Sequence, residues 1–416
     1  VTCHRDIVIA GGGMVGVSLA LQLGQLMSDQ TSICLIENFP LPDPQASGKP
    51  SYHPSFDARS TALSYSSRLI YEKMAVWNDL KEWVCPIETI HVSTRGRFGS
   101  TLMNPQDLQW PALGYVVENA WLGSALVQAL YRQGRVEVVS PARVLKSTPG
   151  ESGNTLQIEG GCESQMTTNL LLIADGAQSS LRTQMGVGAQ EKSYLQHALI
   201  ANVAISQPHE GCAFERFTET GPLALLPLLP GAGAQHRCAL VWTLPQQRAE
   251  RLTDCAQVEI LAALQKEFGY RLGRFTQVGV RHSYPLSLVQ SSEQVRKGVV
   301  VMGNAAHALH PVAGQGFNLA LRDVAVLAQE LASAEAAGLS LGELSVLQTY
   351  CDKQRADQAR TVAASNSLPA LFMHPDPVLG LARDMGLAGL DALPALKREV
   401  VRYAAGVAAL EDAEHG

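Results

Sequence analysis

An α/β fold, with a second β-rich unit interleaved and a helical C-terminal region, is predicted by three features of this 416-residue chain. The N-terminus reads as strand, glycine turn, helix and second strand: "DIVIAGGGMVGVSLALQLGQL", then "SICLIE". Between residues of about 190 and 290, short apolar stretches alternate and are separated by turn residues. Beyond residue 366 the chain is apolar at helical spacing.

The N-terminal unit carries Gly11-x-Gly13-x-x-Gly16 between its strand and its helix. Gly11 permits the tight turn, Gly13 lets the backbone approach a pyrophosphate, and Gly16 lets helix pack on strand. The helix start presents unpaired N–H groups and a positive dipole end. Glu37 ends the second strand about 20 residues further on, where a carboxylate can accept from adenosine ribose hydroxyls. Together these predict a Rossmann-type nucleotide-binding unit.

Composition sets the remaining bounds. Hydrophobic residues make up 46% and charged residues 17%, which favours a large core over disorder. The net charge of −6 and the lack of a basic tract argue against nucleic acid as a partner. The eight cysteines form no C-x-x-C, so reduced thiols in a cytoplasmic protein are expected, with no metal. No apolar run reaches the roughly 18–20 residues of a membrane span, and the N-terminus lacks a signal-peptide pattern.

Three later elements go beyond a plain dehydrogenase. "FDARSTALSYSS" places Arg59 after a polar, proline-containing loop. "NLLLIADGAQSSLRTQMGV" is a buried strand ending in Asp175-Gly176, followed by Ser179 and Arg182. "VVVMGNAAHALHPVAGQGFNLALRD" is a strand, a polar glycine joint and a helix beginning near Gln315 or Gly316. The Gly231–Gly233 cluster has no helix after it and reads as a turn, so no second dinucleotide site is expected.

This set resembles the FAD monooxygenases of the para-hydroxybenzoate hydroxylase type. Within them, "HVSTRG", "LGYVVEN", "AFERFTETGPLALLPL" and "GNAAHALHPVAGQGFNLALRD" resemble the ubiquinone-biosynthesis hydroxylases, especially those acting on 2-polyprenyl-6-methoxyphenol. The likeness runs from about residue 5 to about 365. It implies a discontinuous FAD-binding domain (1–84, 111–188, 291–365), a substrate-binding β-sheet domain (85–110, 189–290) and a helical C-terminal region (366–416).

Several site roles follow from the resemblance. The first fingerprint would hold ADP, and the Asp175-Gly176 element would touch FAD and help bind NAD(P)H as a transient co-substrate. Gly303 and Asn304 would meet the ribityl chain, with Asn304 where most of the wider family has Asp. Pro311, Gly314, Gln315, Gly316 and Asn318 would wrap the isoalloxazine. The reaction implied is ring hydroxylation of a polyprenyl phenol by way of a flavin C4a-hydroperoxide. Alternatives are a paralogous hydroxylase acting at another ring position, a flavin oxidase or dehydrogenase, and a non-catalytic flavoprotein subunit. No single catalytic base emerges; His53, Tyr284 and His307 stay open. Such a substrate lives in a bilayer, so peripheral contact with the inner membrane, a ubiquinone-biosynthesis complex or a homo-oligomer are further expectations. The C-terminal apolar residues could pack in a core, line an entrance for the tail, or meet a membrane or partner.

Overall fold

The computed structural model describes residues 3–42, 59–97, 99–151, 153–231, 233–309, 314–373, 386, 389 and 393–408. Expectations resting on His53, His310 or Pro311 lie outside the described residues.

The strand Cys3–Ala10 is the centre of a parallel sheet. Ile33–Ile36 pairs on one side of it and Gln165–Ile173 on the other, with Val136–Val139 and Val299–Val301 beyond. Residues Ile7 to Ala10 are buried on both faces, as a strand covered on each side must be. Ile7 and Ile9 pack with Leu19 and Leu23 of the helix Met14–Leu26 and with Leu321 and Val324 of the helix Gln315–Ala336. Val8 and Ala10 turn the other way, toward Val144 and Ile158 of the hairpin formed by Ala142–Gly150 and Gly153–Gly160. Strand order reverses at Cys3–Ala10, so a crevice opens at its C-terminal end.

A second sheet is organised around the long strand Ala189–Ile205, which pairs with Arg237–Pro245, His282–Ser291 and Phe275–Val278. Gly221–Leu228, Cys212–Thr218, Thr89–Thr94 and Ser100–Met103 extend it. The stretch read as strands and turns also contains two helices, Gln246–Asp254 and Gln257–Phe268. Their apolar residues Ala249, Leu252, Ile260, Leu264 and Phe268 recur at helical spacing and cover Leu199, Leu225, Leu240 and Trp242. Each such fully buried leucine is worth roughly 1.5–3 kcal/mol.

A small antiparallel sheet of Ser60–Ser64, Gly114–Glu118 and Val84–Ile87 stands between the two larger ones. Glu118 ties it to the second sheet, accepting from Asn202 Nδ2 at 3.0 Å and pairing with Arg237 at 3.3 Å. The long helix Leu344–Met373 packs on Gln315–Ala336 and reaches the second sheet, where Phe372 stacks on Phe217 at 3.7 Å. The helix Pro394–Ala404 closes the described chain.

Candidate functional site

The glycine turn is built for close approach. Gly11 has φ +110°, and a Cβ there would lie 2.6 Å from the Ala174 carbonyl oxygen. At Gly16 a Cβ would lie 1.8 Å from the Gly11 carbonyl oxygen, so no side chain fits between helix and turn. Gly13 caps the helix Met14–Leu26 without a side-chain hydrogen bond, leaving its first N–H groups for a ligand.

Glu37 lies at the same end of the sheet and is buried. Its carboxylate accepts from the Gly12 N–H and, at 2.8 Å, from the Phe39 N–H. It therefore fixes the glycine turn as well as lining the cavity beside it. That cavity, about 370 Å³, is bounded by Gly11, Gly13, Glu37, Arg143, Asp175 and Gly176. Two sequence elements far apart in the chain thus meet at the switch point. Arg143 and Phe39 also face the cavity and were not anticipated; only Phe39's nearness to Glu37 in the chain hints at it.

Asp175 sits at the end of Gln165–Ile173. Burial raises its carboxyl pKa, against a hydrogen bond from Ser179 and the charge of Arg182. Gly176 takes φ +95° and opens onto free space. Ser179 caps the next short helix by accepting from the Arg182 N–H at 3.0 Å. Arg182 in turn donates from Nη1 to the carbonyl of Ala305 at 2.6 Å.

The late glycine joint is thereby held to the second element. Gly303 has φ +60° and lies against Val15 of the first helix. Asn304 is exposed on the short turn Gly303–Ala305, the position from which it can meet a ligand. Gly314, at φ +61°, starts the helix Gln315–Ala336 with Gly316 in its first turn. Gln315 donates from Nε2 to the Ala404 carbonyl at 3.1 Å.

Asn318 is almost wholly buried, and its amide is satisfied within the protein. Oδ1 accepts from Ser64 N–H at 2.8 Å and Ser67 Oγ at 2.7 Å; Nδ2 donates to the carbonyls of Ala62 and Gly314. It braces the joint from behind. Arg59 meets the second sheet, its guanidinium 5.1 Å from the Tyr284 ring. Its carbonyl accepts from Asn119, whose Oδ1 accepts from Thr61. His307 is buried, with Nε2 against the Gln294 amide, and burial lowers its pKa.

Comparison with known proteins agrees with this geometry. An FAD binding domain family matches residues 4–365. The ubiquinone hydroxylase UbiL of Rhodospirillum rubrum is 32% identical over 96% of this chain and 89% of its own length. The 3-demethoxyubiquinol 3-hydroxylase of Escherichia coli is 30% identical over 97% and 98%. Among solved structures, the p-nitrophenol 4-monooxygenase PnpA of Pseudomonas putida superposes with a TM-score of 0.77 at 16% identity, covering 96% of this chain and 97% of its own. PqsL of Pseudomonas aeruginosa, a probable FAD-dependent monooxygenase, gives 0.74 at 18%, covering 93% and 100%. These two likenesses carry the fold, while the matched domain and the full-length relatives carry the lineage: the chain belongs to the FAD binding domain family.

Proposed function

We propose that the protein is an FAD-dependent monooxygenase that hydroxylates the ring of a polyprenyl phenol in ubiquinone biosynthesis, using NAD(P)H and O2. The observation that carries this reading is the convergence of three separate sequence elements at one end of the parallel sheet. Gly11 and Asp175 bound one cavity, Gly303 rests on Val15 of the helix after the glycine turn, and Arg182 holds the carbonyl of Ala305 beside it. The relatives named as ubiquinone hydroxylases supply the substrate class.

The residues present fit FAD. Gly11 and Gly16 let the turn lie tight against the start of a helix with no side-chain cap, whose first N–H groups suit phosphates. Gly11, Gly13 and Gly16 would receive the pyrophosphate, and Glu37 would face the adenosine ribose. Asp175, Gly176, Gly303 and Asn304 would hold the middle of the cofactor. Gly314, Gln315 and Gly316 would present backbone N–H groups to the ring edge, braced by Asn318. FAD supplies, when bound, electron transfer from a nicotinamide and the transfer of one oxygen atom from O2 to the ring. The protein's part is to orient the phenol and exclude water between the sheets. In this reading residues 1–84, 111–188 and 291–365 hold FAD, and 85–110 and 189–290 hold substrate.

Among the described residues no helix is long and apolar enough to cross a membrane. The tail's bilayer is instead met peripherally, by the helix Pro394–Ala404. Leu393, Leu396, Val400 and Tyr403 recur at helical spacing and are exposed, with Arg398 beside them.

The test supplies NAD(P)H, O2 and a short-chain 2-prenyl-6-methoxyphenol to the holoprotein. Mass spectrometry should find a product heavier by one oxygen atom, with NMR giving the ring position. NAD(P)H consumption without an oxygenated product would overturn the reading.

A further inference from the structure

Strand parity sets Glu215 apart from the other charged side chains of the second sheet. Along Cys212–Thr218, Phe214 and Arg216 face the helices, where both rest near the ring of Phe268. Ala213, Glu215 and Phe217 face the opposite way. Ala213 is buried against Ile87 and Val116 of the small sheet, and Phe217 is covered by Phe372.

Between those two contacts the face is open. The residues level with Glu215 on successive strands are Val92, Ala224, Val241 and Ile200, and all are half-buried. They form an apolar band with one carboxyl in it. Its far end lies on the strand beside Tyr284, where Arg59 stands.

Glu215 is half-buried on this apolar face and keeps some accessible surface, so it is not sealed in the core. Of the charged groups brought to this face, Glu118 is held by Arg237 and Asn202, and Arg59 lies over Tyr284. Arg216 is on the other face. Among the described residues, no hydrogen bond or ion pair satisfies Glu215. Burial alone pushes its carboxyl up to about 7. An acid so placed costs stability, so packing does not account for it.

We propose that Glu215 accepts the phenolic hydrogen of the substrate and holds the aromatic ring against this band. The proposal rests on the phenol reading above. A phenol reacts at carbon when electron density moves from its oxygen into the ring. As the new C–O bond forms, the phenolic proton passes to the Glu215 carboxylate and the ring oxygen becomes a carbonyl. The attacked carbon then loses its hydrogen as a proton to water, aromaticity returns, and Glu215 gives its proton back to the ring oxygen. The oxygen atom comes from O2, and the two electrons that reduce its partner to water come from NAD(P)H through FAD.

The test titrates the holoprotein with the short-chain 2-prenyl-6-methoxyphenol and with its O-methyl ether, following flavin absorbance. Wild type should bind the phenol about tenfold or more tightly than the ether, the worth of a hydrogen bond to a charged acceptor. Glu215→Leu should keep its FAD, melt no lower than wild type and bind both alike. Glu215→Gln still accepts a hydrogen bond but carries no charge, so part of the phenol preference should remain, while turnover falls about 100-fold or more and loses its rise with pH near 7. A Leu variant that still prefers the phenol, with wild type turning it over, overturns the role of Glu215 alone. A wild type that binds neither compound overturns the substrate reading beneath it as well.

Discussion

Arg182 Nη1 donates to the Ala305 carbonyl at 2.6 Å, and this contact joins the segment after Asp175-Gly176 to the turn Gly303–Ala305. Arg182 is buried, so the bond is shielded from water. Arg182→Met should cost about 1.5–3 kcal/mol, the usual range for a hydrogen bond to a charged group. Urea unfolding of the apoprotein measures this, and FAD content after gel filtration should fall in parallel. An unchanged unfolding midpoint would show that the turn Gly303–Ala305 is held by something else.

Gly16→Ala tests the fingerprint sterically. A methyl group cannot occupy a point 1.8 Å from the Gly11 oxygen, so helix or turn must move. The expected cost is about 1–3 kcal/mol from overpacking, with loss of bound FAD. Gly13→Val should abolish FAD retention by filling the place of the pyrophosphate. Flavin-to-protein ratios near one in either purified variant would refute the assigned phosphate position.

At Asn304 the expected pattern separates shape from charge. Asn304→Asp should be tolerated, whereas Asn304→Leu should weaken FAD binding by about 1–3 kcal/mol by leaving a polar partner unmet. Isothermal titration of the apoprotein with FAD reads both, and equal affinities for Leu and Asn would remove the contact.

Asp323 predicts a pH dependence of stability. Its carboxyl is pushed up to about 7 by burial, opposed by the Gln358 hydrogen bond at 2.9 Å, with Asp357 raising it and Arg322 lowering it. An unfolded Asp titrates near about 4. Between these values the folded protein holds a proton that the unfolded chain has lost, so stability falls as pH rises through that window. Asp323→Asn removes the effect, so its stability relative to wild type should improve from pH 5 to pH 8 in urea titrations. A difference that stays flat with pH would contradict the buried carboxyl.

Leu393→Glu with Leu396→Glu tests the peripheral contact. Sedimentation with anionic vesicles should fall, while FAD binding and turnover of a short-chain phenol persist. Removing everything after Asn366 is a poorer test, because it also strips Phe372 from Phe217. Equal vesicle binding by wild type and variant would move the contact elsewhere.

Legibility in the sequence followed chain distance. Gly11, Gly13 and Gly16 could be read because turn and helix rules are local, and Gln315 as a helix start for the same reason. The helices Gln246–Asp254 and Gln257–Phe268 were hidden inside a stretch whose flanking strands dominate its pattern. The small sheet was invisible because Ser60–Ser64 and Val84–Ile87 meet only through Gly114–Glu118. A buried Asn in a glycine-rich loop reads as a ligand contact, yet Asn318 finds its partners at Ser64 and Ser67, far back in the chain. Glu215 left one trace, a charge on the same parity as Ala213 and Phe217.

The central place of Cys3–Ala10 in the parallel sheet has a consequence for folding. Cys3–Ala10 finds one neighbour close by in the chain, at Ile33–Ile36, but its other neighbour, Gln165–Ile173, lies about 160 residues further on. Gly303, which rests on Val15, comes about 290 residues after it. Such non-local pairing slows folding. The cradle therefore forms only when segments distant in the chain have come together, so cofactor binding and the closing of the parallel sheet are coupled.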